Sequence, residues 1–427
     1  MPEEEPPARP IPARSMVIAA LSTIVEWYDF TLYLYLTTVL SRVFYGGGAG
    51  SLVETLAGFA LAYLMRPLGA VVFGHVGDRF GRRRAMLLSM AMMAVAMLAT
   101  ALLPTHAQAG PLAGGLLFLL RCLTGFAVGG EYTGVVAYLL EGAPKRRRGL
   151  VTSLASAASE VGGLLAVGVA AITVASMDQA ALDGWGWRIP FLVGAAMAVA
   201  ILIARSTMHE SPDFERQRAR GSVPRHPLRH AWTHHRRAIA RGFAISALGS
   251  ITYYVGITYV PTFLTSAGAM DEGRALWLST IAAAAVIAVT PLVGALADRV
   301  GRRPVLIAVG LGGAILPVTL FWLMADGTPG QALAGAVLLA CLGGAVSAVG
   351  AVATAELLPG EGRLSGLAFG ATSATAIFGG LTPLVAHLLI DRTGLAIMPG
   401  VMIALVALAI LPLFARLPET APGRGLG

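Results

Sequence analysis

The chain alternates between long apolar runs and short polar segments. Twelve apolar runs bounded by charged, proline or glycine residues can be placed, six before and six after a polar stretch at 207–237. A helix of about 20 apolar residues crosses a hydrocarbon core of roughly 30 Å, and it pairs its backbone groups internally. The pattern therefore predicts an all-α membrane protein with twelve transmembrane helices in two pseudo-symmetric six-helix bundles.

The boundaries of these runs divide the chain into five parts. A proline-rich cytoplasmic tail at 1–14 is expected to be disordered, because its acidic start differs from the basic-then-apolar layout of a cleavable signal. The two predicted bundles cover 15–206 and 238–416. A cytoplasmic central loop at 207–237 lies between them, and a second cytoplasmic tail follows at 417–427.

One loop sequence occurs in both halves, which indicates a duplicated architecture. The segment GHVGDRFGRR at 74–83 returns as GALADRVGRR at 294–303. Its glycines permit a tight turn, and we expect Asp78 to accept hydrogen bonds from a helix N-terminus or from arginines of the partner bundle. A second set of residues also recurs at a constant offset: Glu141, Pro144 and Arg148, then Glu356, Pro359 and Arg363.

Composition and charge agree with a lipid environment. Hydrophobic residues make up 56% of the chain and charged residues 13%, and the mean hydropathy is +0.73. One soluble core does not hide so much apolar side chain. The net charge of +8 does not indicate nucleic acid, because the basic residues concentrate in alternate loops. This positive-inside distribution predicts a multi-pass membrane protein with both termini in the cytoplasm. The expected location is the bacterial plasma (inner) membrane.

Ionisable residues interrupt three apolar runs of the first half. Glu26 and Asp29 lie three residues apart in span 1, on one helix face and well inside the bilayer. Arg121 and Glu131 lie in span 4, and Glu160 lies in span 5. Acids at such depth usually mark ion or proton paths, and simple pairing with a neighbouring helix is the alternative. We expect Arg121 to pair with Asp29 or Glu26.

The charges of the first half give an independent argument for protons. If all four acids were ionised against Arg121 alone, the interior would carry a charge of minus three, which a low-dielectric site does not hold. At least one carboxyl should therefore be protonated for part of a cycle. The residues assigned to proton coupling are Asp29, Glu26, Arg121, Glu131 and Glu160.

The second half offers hydroxyl groups and aromatic rings in place of charges. An acidic first half facing such a surface fits a zwitterion or a quaternary ammonium, because aromatic rings attract cations. Arg121 is the one cation clearly at depth in the sequence, which argues against di- and tricarboxylates. The residues predicted to bind substrate are Trp27, Tyr28, Tyr33, Tyr132, Tyr253, Tyr254 and Thr372.

Signs of other chemistry are weak. The sequence contains no P-loop, metal-ligand cluster or nucleophile–base pair, so it predicts neither an enzyme nor a cofactor, and a proton gradient supplies the energy. His226, His230 and His234 recur at every fourth residue of the central loop. A solvated basic loop is favoured there over a metal site or a membrane-surface segment. Cys122 and Cys341 lie in predicted spans and are interpreted as apolar packing residues.

These motifs resemble those of the major facilitator superfamily. The duplicated loop carries the resemblance, together with Arg121 and Gly125 in span 4. More narrowly, the chain resembles the metabolite:proton symporter family, and its overall pattern resembles the proline and betaine branch. The motifs that carry this second resemblance are EWYDF at 26–30, RPLG at 66–69, GGEYTG at 129–134, WGWRIPF at 185–191 and ESP at 210–212.

The resemblance implies alternating access, in which two halves rock about a site near the midplane while a proton enters with a metabolite. Asp29 and Arg121 match the family's acid and arginine that are linked to proton coupling. Glu160 departs from the family, which leaves open a second proton site or a substrate contact. The residues assigned to the gating loops, which latch the cytoplasmic side, are Gly74, Asp78, Arg79, Gly81, Arg82, Asp298, Arg299 and Arg302.

The sequence thus predicts a proton-coupled symporter that imports a small zwitterionic or organic metabolite such as proline or betaine. Its predicted partners are the lipid bilayer, the metabolite and H+, with neither nucleic acid nor an obligate protein partner. Symport of a mono- or dicarboxylate is the nearest alternative. A proton-driven drug exporter would share the fold, but substrate addition would move protons the opposite way. A transporter-like receptor would need an added signalling domain.

Overall fold

A computed structural model describes residues 11–48, 50–223, 226–267, 270 and 272–421. Within these ranges the chain is helical and contains no β-strand, as the apolar runs predicted. The helices of the first half are α1 (Ala13–Tyr35), α2 (Thr37–Tyr45), α3 (Ser51–Tyr63), α4 (Met65–Phe80), α5 (Arg82–Ala101), α6 (His106–Ala109), α7 (Pro111–Val128), α8 (Glu131–Gly142), α9 (Arg148–Ala175), α10 (Gln179–Ala181) and α11 (Arg188–Ser206).

The central segment contains two short helices where a loop was predicted, α12 (Pro212–Ala219) and α13 (Pro227–His234). The first begins at Pro212 because the Ser211 hydroxyl accepts a hydrogen bond from the Phe214 N–H. The helices of the second half are α14 (Arg236–Tyr253), α15 (Val260–Ser266), α16 (Glu272–Val300), α17 (Arg302–Asp326), α18 (Pro329–Glu356), α19 (Arg363–Leu367), α20 (Ser373–Thr375), α21 (Thr382–Thr393) and α22 (Met398–Ala415). Short 3-10 or π-helical segments connect several of them, at Lys145–Arg147, Leu182–Gly186, Tyr254–Thr258, Ala368–Thr372 and Ala376–Gly380.

Eleven helical segments among the described residues are long and apolar enough to cross a membrane. The remaining predicted span, the seventh, consists of α14, a π-helical turn and α15, and three arginines near the start of α14 reduce its hydropathy. Large apolar side chains such as Leu119, Ile172 and Leu292 are more than half exposed on the outside of the helices. Such a surface is suited to lipid, since a water-soluble protein rarely exposes so much contiguous apolar area.

Each half packs around its own apolar core. Trp187 and Phe191 lie in the core of the first half, and Phe263 and Phe321 meet edge to face in the core of the second. Smaller apolar clusters join the halves close to the duplicated loops, and one of them includes Ala231 of α13. The two halves are therefore bundles with separate apolar cores that also pack against each other.

Helix breaks bring polar groups to the middle of this interface. Span 2 breaks between α3 and α4 because Pro67 has no N–H to donate to the Tyr63 carbonyl four residues earlier. Span 4 breaks at Gly129 and Gly130, where α7 crosses α4 so closely that a Cβ on Gly129 would lie 2.1 Å from the Arg66 carbonyl oxygen. These breaks place Arg66 and the start of α8 near the centre of the protein.

The prediction of a disordered tail up to residue 14 is wrong at its end. Helix α1 begins at Ala13, and Ile11 is buried with 5% exposure. The Ile11 side chain packs against Gly142 at the end of α8, which fixes the start of span 1 against span 4. The predicted tail at 1–10 and the end of the second tail at 422–427 lie outside the described residues.

Candidate substrate and proton site

A cavity of about 190 Å³ lies between the two halves. Its charged lining residues, within the part of the chain that the structure describes, all come from the first half, and the second half supplies hydroxyl groups and rings. This is the contrast that the sequence predicted. The polar and aromatic lining residues are Glu26, Trp27, Tyr63, Arg66, Tyr132, Thr133, Ser156, Ser159 and Glu160 from the first half, and Ser246, Ser250, Tyr253, Tyr254, Thr290, Ser347, Thr354, Thr372 and Thr375 from the second.

Several buried polar atoms of the cavity lack a hydrogen-bond partner among the described residues. They are Oε2 of Glu26, Nε1 of Trp27 and Oγ1 of Thr354. Glu26 is only 2% exposed, and its nearest cation is Arg66, whose Nη1 lies 4.0 Å from Oε1. Buried polar groups are almost always paired, so these atoms are suited to a ligand or to ordered water.

Arg66 is a cavity residue that the sequence reasoning missed. The motif RPLG at 66–69 was noted only as part of the family resemblance, and no role was assigned to Arg66. Its guanidinium lies 4.7 Å from the centre of the Phe30 ring and 4.6 Å from that of Tyr63, which holds the side chain in place. An arginine in the interior of an apolar run was the signal that could have revealed it.

Asp29 and Arg121 form a buried ion pair directly behind the cavity, which confirms the predicted pairing. The two guanidinium nitrogens donate to the two carboxylate oxygens over 2.9 and 3.2 Å. A small pocket of about 30 Å³ adjoins this pair and shares Tyr63 and Arg66 with the main cavity. The pair is thus close to the substrate cavity without lining it.

Glu131, which was assigned to proton coupling, forms a buried ion pair with Arg205. It is fully buried and accepts hydrogen bonds from Ser22, Ser89 and Arg205, and Arg205 also donates to the Met86 carbonyl. This pair was not predicted, because an arginine at the end of span 6 is expected from the positive-inside rule alone.

Arg66 and Arg205 correct the predicted charge balance. Besides Arg121, two further buried arginines, Arg66 and Arg205, accompany the four acids of that count, so the predicted charge of minus three is wrong. The statement that Arg121 is the one cation at depth is wrong for the same reason. Glu26 and Glu160 in the cavity lining, and Asp29 in its pair with Arg121, remain the candidates for proton coupling.

We expect Glu131→Gln to destabilise the protein, because it leaves the Arg205 guanidinium buried without its counter-charge. Breaking a buried ion pair typically costs about 3–5 kcal/mol, and replacing both partners with apolar residues typically costs much less. Chemical unfolding of the purified protein in detergent measures the difference. Glu54→Gln is the control, since Glu54 is exposed. Equal stability of the Glu131 and Glu54 variants would contradict a structural role for Glu131.

Tyr28 and Tyr33 are not cavity residues, which corrects their assignment to substrate binding. The Tyr28 hydroxyl donates to the Pro190 carbonyl over 2.8 Å, and the Tyr33 hydroxyl donates to the Thr55 carbonyl over 3.0 Å. Both rings are buried in the core of the first half. They lie on the side of α1 that faces its own bundle, a detail that their depth in the sequence did not reveal.

The other predicted substrate residues do line the cavity. The Tyr132 hydroxyl is hydrogen-bonded to Ser156 over 2.7 Å, and Thr372 lies in a π-helical segment of span 11. The Tyr253 hydroxyl faces the Glu160 carboxylate, and the ring of Tyr253 packs 5.1 Å from that of Trp27.

A layer of aromatic residues connects the two halves at this level. The hydroxyls of Tyr63 and Tyr254, from opposite halves, are hydrogen-bonded over 2.5 Å. Phe30 packs against the Tyr63 ring, and Trp27 against Tyr253. The layer covers one side of the cavity.

The opposite side is closed by reciprocal contacts between the duplicated loops. Asp78 of the first half accepts hydrogen bonds from the backbone N–H groups of Leu364 and Ser365 at the start of α19. Asp298 of the second half accepts them from Gly149 and Leu150 at the start of α9, over 2.8 and 2.9 Å. Each aspartate therefore caps a helix of the other half, as predicted for Asp78, and we call this region the latch.

Arginines of the same loops hold the aspartates in place. Arg82 donates to Asp78 over 2.6 Å and to Glu141 over 3.2 Å, and Arg302 contacts Asp298 and Glu356 in the equivalent way. Arg363 of the second half also donates to Glu141, over 2.5 Å, which ties the two halves together.

The remaining gating residues have separate roles. Gly81 has a φ of +111°, which favours glycine, and a Cβ on Gly74 would lie 3.1 Å from the Leu364 carbonyl oxygen. Arg79 and Arg299 are exposed, and Arg79 lies over the Phe80 ring. Glu210 accepts from the backbone N–H groups of Arg82 and Arg83. Burial raises the pKa of Glu210, and these donors oppose that effect.

The histidines of the central segment form no metal site within the described residues. The rings of His230 and His234 stack 4.5 Å apart on α13, and His226 directly precedes the helix.

Comparison with known proteins identifies the family. The family described as sugar (and other) transporter matches residues 15–225 and, a second time, residues 215–424. The chain belongs to this family of the major facilitator superfamily. The two matches correspond to the two bundles, so the duplication seen in the loops extends to the whole transporter.

Relatives and a solved structure agree with the family. The transporter is 34% identical to the ectoine/proline transporter ProP of Corynebacterium glutamicum over 413 residues, which cover 92% of this chain and 82% of the relative. It is 33% identical to the alpha-ketoglutarate permease of Escherichia coli, over 87% of this chain and 86% of that one. The fold matches the proton:xylose symporter XylE, from E. coli, bound to 6-bromo-6-deoxy-D-glucose, with a TM-score of 0.78, 22% identity and coverage of 96% of both chains.

Membership of this family confirms two predictions made from the sequence. The family consists of transporters, so the chain is a transporter and not an enzyme. It is a multi-pass membrane protein with the two-bundle fold that the apolar runs predicted.

Proposed function

We propose that this transporter is a symporter that carries a small zwitterionic solute together with a proton. The observation that carries the proposal is the cavity between the two halves, where Glu26, Arg66 and Glu160 of one half face hydroxyl groups and rings of the other. Opposite charges in one enclosed site suit a solute that carries both. Aromatic rings beside the carboxylates favour its cationic end.

The latch supports alternating access. Its two aspartates and the helices that they cap belong to opposite halves, so the halves cannot separate at this end without breaking all four backbone hydrogen bonds. In this structure the latch is formed and the cavity is closed towards it. We propose that this is the cytoplasmic end, with both termini on that side of the bacterial inner membrane, because the basic residues concentrate there.

The pair of Asp29 and Arg121 supports proton coupling. Protonation of Asp29 would remove one charge of a buried pair and weaken its hold on Arg121. A small pocket connects the pair to the substrate cavity, because Tyr63 and Arg66 line both the pocket and the cavity. A change at the pair therefore reaches the cavity through direct contacts. We propose that Asp29 carries the proton and that the gradient is the energy source.

The named substrates of the relatives differ, and the cavity favours one class. ProP is named for ectoine and proline, whereas the E. coli relative is a permease for alpha-ketoglutarate. Among the described residues, the charged groups that line the cavity are two carboxylates and one guanidinium. A dicarboxylate would find only one guanidinium, that of Arg66, as a counter-charge in this lining, whereas a zwitterion would find a partner for each of its ends.

Uptake into proteoliposomes tests the proposal. With the external medium two pH units more acidic than the lumen, radiolabelled L-proline, ectoine, glycine betaine and alpha-ketoglutarate are compared with and without a protonophore. We expect at least one zwitterion to accumulate and the protonophore to abolish accumulation. Accumulation of alpha-ketoglutarate alone would establish the carboxylate alternative, and gradient-independent equilibration of every solute would contradict proton coupling.

A further inference from the structure

Glu26 and Arg66 lie side by side in the cavity, and Oε2 of Glu26 has no hydrogen-bond partner among the described residues. We infer that they form a two-point clamp for an α-amino-acid zwitterion whose ammonium group carries at least one N–H. Glu26 accepts from the ammonium, and Arg66 donates to the carboxylate. The inference rests on the proposed function and narrows its substrate class.

The acceptor side of the clamp is Glu26. Its Oε2 is buried and has no hydrogen-bond donor within the described part of the chain, and its Oε1 is 4.0 Å from Arg66, beyond hydrogen-bonding distance. A buried carboxyl oxygen without a hydrogen-bond partner is costly, so a ligand that brings an N–H gains the bond that the protein does not make. Trp27, the neighbouring residue on α1, presents its ring to the same cavity.

The donor side of the clamp is Arg66. The rings of Phe30 and Tyr63 hold its guanidinium from two sides, and its side chain remains 10% exposed towards the cavity. A fixed guanidinium presents a planar pair of donors that matches a carboxylate. The Nη1 atom of Arg66 lies 4.0 Å from Oε1 of Glu26. This short distance suits an α-amino acid, in which one carbon separates the two charged groups, better than a zwitterion with a longer spacer.

The walls beside the clamp favour a compact ring. Trp27 and Tyr253, packed edge to face at 5.1 Å, lie in the cavity next to Glu26 and provide apolar surface without further charge. A quaternary ammonium would also be attracted to these rings, but it has no N–H and would leave Oε2 of Glu26 without a donor. A cyclic secondary amino acid such as proline donates an N–H to Glu26, accepts from Arg66 with its carboxylate, and packs its ring against Trp27 and Tyr253.

Four probes that share a five-membered ring separate these contributions. L-Proline has both charges and the N–H, and N,N-dimethyl-L-proline keeps both charges without the N–H. Cyclopentanecarboxylate lacks the ammonium, and pyrrolidine lacks the carboxylate. Isothermal titration of the purified full-length protein in detergent should show L-proline binding about 30-fold or more tightly than each of the other three. N,N-Dimethyl-L-proline and cyclopentanecarboxylate bring no N–H to Glu26, and pyrrolidine brings no carboxylate to Arg66.

Two substitutions assign each end of the ligand to its residue. Glu26→Gln should weaken the binding of L-proline about 30-fold or more and change the binding of cyclopentanecarboxylate by less than about threefold. Arg66→Gln should also weaken the binding of L-proline about 30-fold or more, but here pyrrolidine is the probe whose binding changes by less than about threefold. Glu54→Gln and Arg229→Gln are matched controls at exposed positions and should bind all four probes like the parent. Thermal unfolding of every variant confirms that it is folded.

The outcomes separate the clamp from the proposed function. Equal binding of L-proline and N,N-dimethyl-L-proline would overturn the N–H requirement. Zwitterion binding and proton-driven uptake that survive Glu26→Gln and Arg66→Gln would overturn the clamp and leave symport intact. Binding of alpha-ketoglutarate but of no zwitterion would overturn both.

Discussion

Asp29→Asn should abolish accumulation of the solute against its gradient while leaving exchange of labelled for unlabelled solute across the membrane. Asparagine keeps the shape of the side chain but cannot bind or release the proton, so it fixes one state of the pair with Arg121. With one proton per solute, a gradient of two pH units supports roughly 100-fold accumulation, since each unit contributes about 1.4 kcal/mol. The variant should show an accumulation ratio of about 1.

The control for this variant is another acid–arginine pair of the same half. Asp183 accepts two hydrogen bonds from Arg42, each over 2.9 Å, but both side chains are more than a quarter exposed. Asp183→Asn should therefore retain the parent's accumulation ratio. Exchange activity in Asp29→Asn shows that the variant is folded and able to bind solute. Undiminished accumulation by Asp29→Asn would exclude Asp29 as the proton carrier.

Gly149→Ala should reduce transport about tenfold or more by preventing the latch from closing. A Cβ on Gly149 would lie 2.4 Å from the Gly294 carbonyl oxygen of the other half. Moving these backbone atoms apart costs free energy, because each belongs to a packed helix. Relief of this overlap requires the two halves to separate at the latch, which also breaks the cap that Asp298 provides. Overpacking of this kind typically costs about 1–3 kcal/mol, and each 1.4 kcal/mol shifts a population tenfold.

The accessibility of a cysteine reports the position of the latch in this variant. Thr354→Cys, made with Cys122 and Cys341 replaced by alanine, places a thiol at a buried position two residues before Glu356 of the latch. A membrane-impermeant maleimide should react faster with it when Gly149→Ala is present. Gly168→Ala in the same helix is the control, since a Cβ there meets open space. Equal labelling and equal transport of the two alanine variants would contradict a latch that closes at Gly149.

The sequence predicted most of what depends on position along the chain. The apolar runs gave the spans, and the duplicated loops gave the residues of the latch, because Asp78 and Asp298 occupy equivalent positions in two copies of one unit. The pairing of Asp29 with Arg121 followed from their similar depth and from the cost of leaving either charge alone in lipid.

What the sequence did not reveal depends on direction around each helix and on helix breaks. Tyr28 and Tyr33 lie at the depth of the site but point into their own bundle, and depth alone does not distinguish the two faces. Arg66 reaches the cavity because Pro67 interrupts span 2, and Arg205 lies close to Glu131 only once α11 packs against α5. A charge count made before these contacts are known therefore assigns too few arginines to the interior.

The direction of proton movement during solute entry tests symport most directly. Proteoliposomes with a pH-sensitive dye in a weakly buffered lumen, and with no initial pH gradient, receive L-proline outside, with potassium and valinomycin present to remove any membrane potential. We expect the lumen to acidify as proline enters, and the Asp29→Asn protein to give no acidification. Alkalinisation of the lumen, or proline entry with no change in pH in the parent protein, would contradict proton symport.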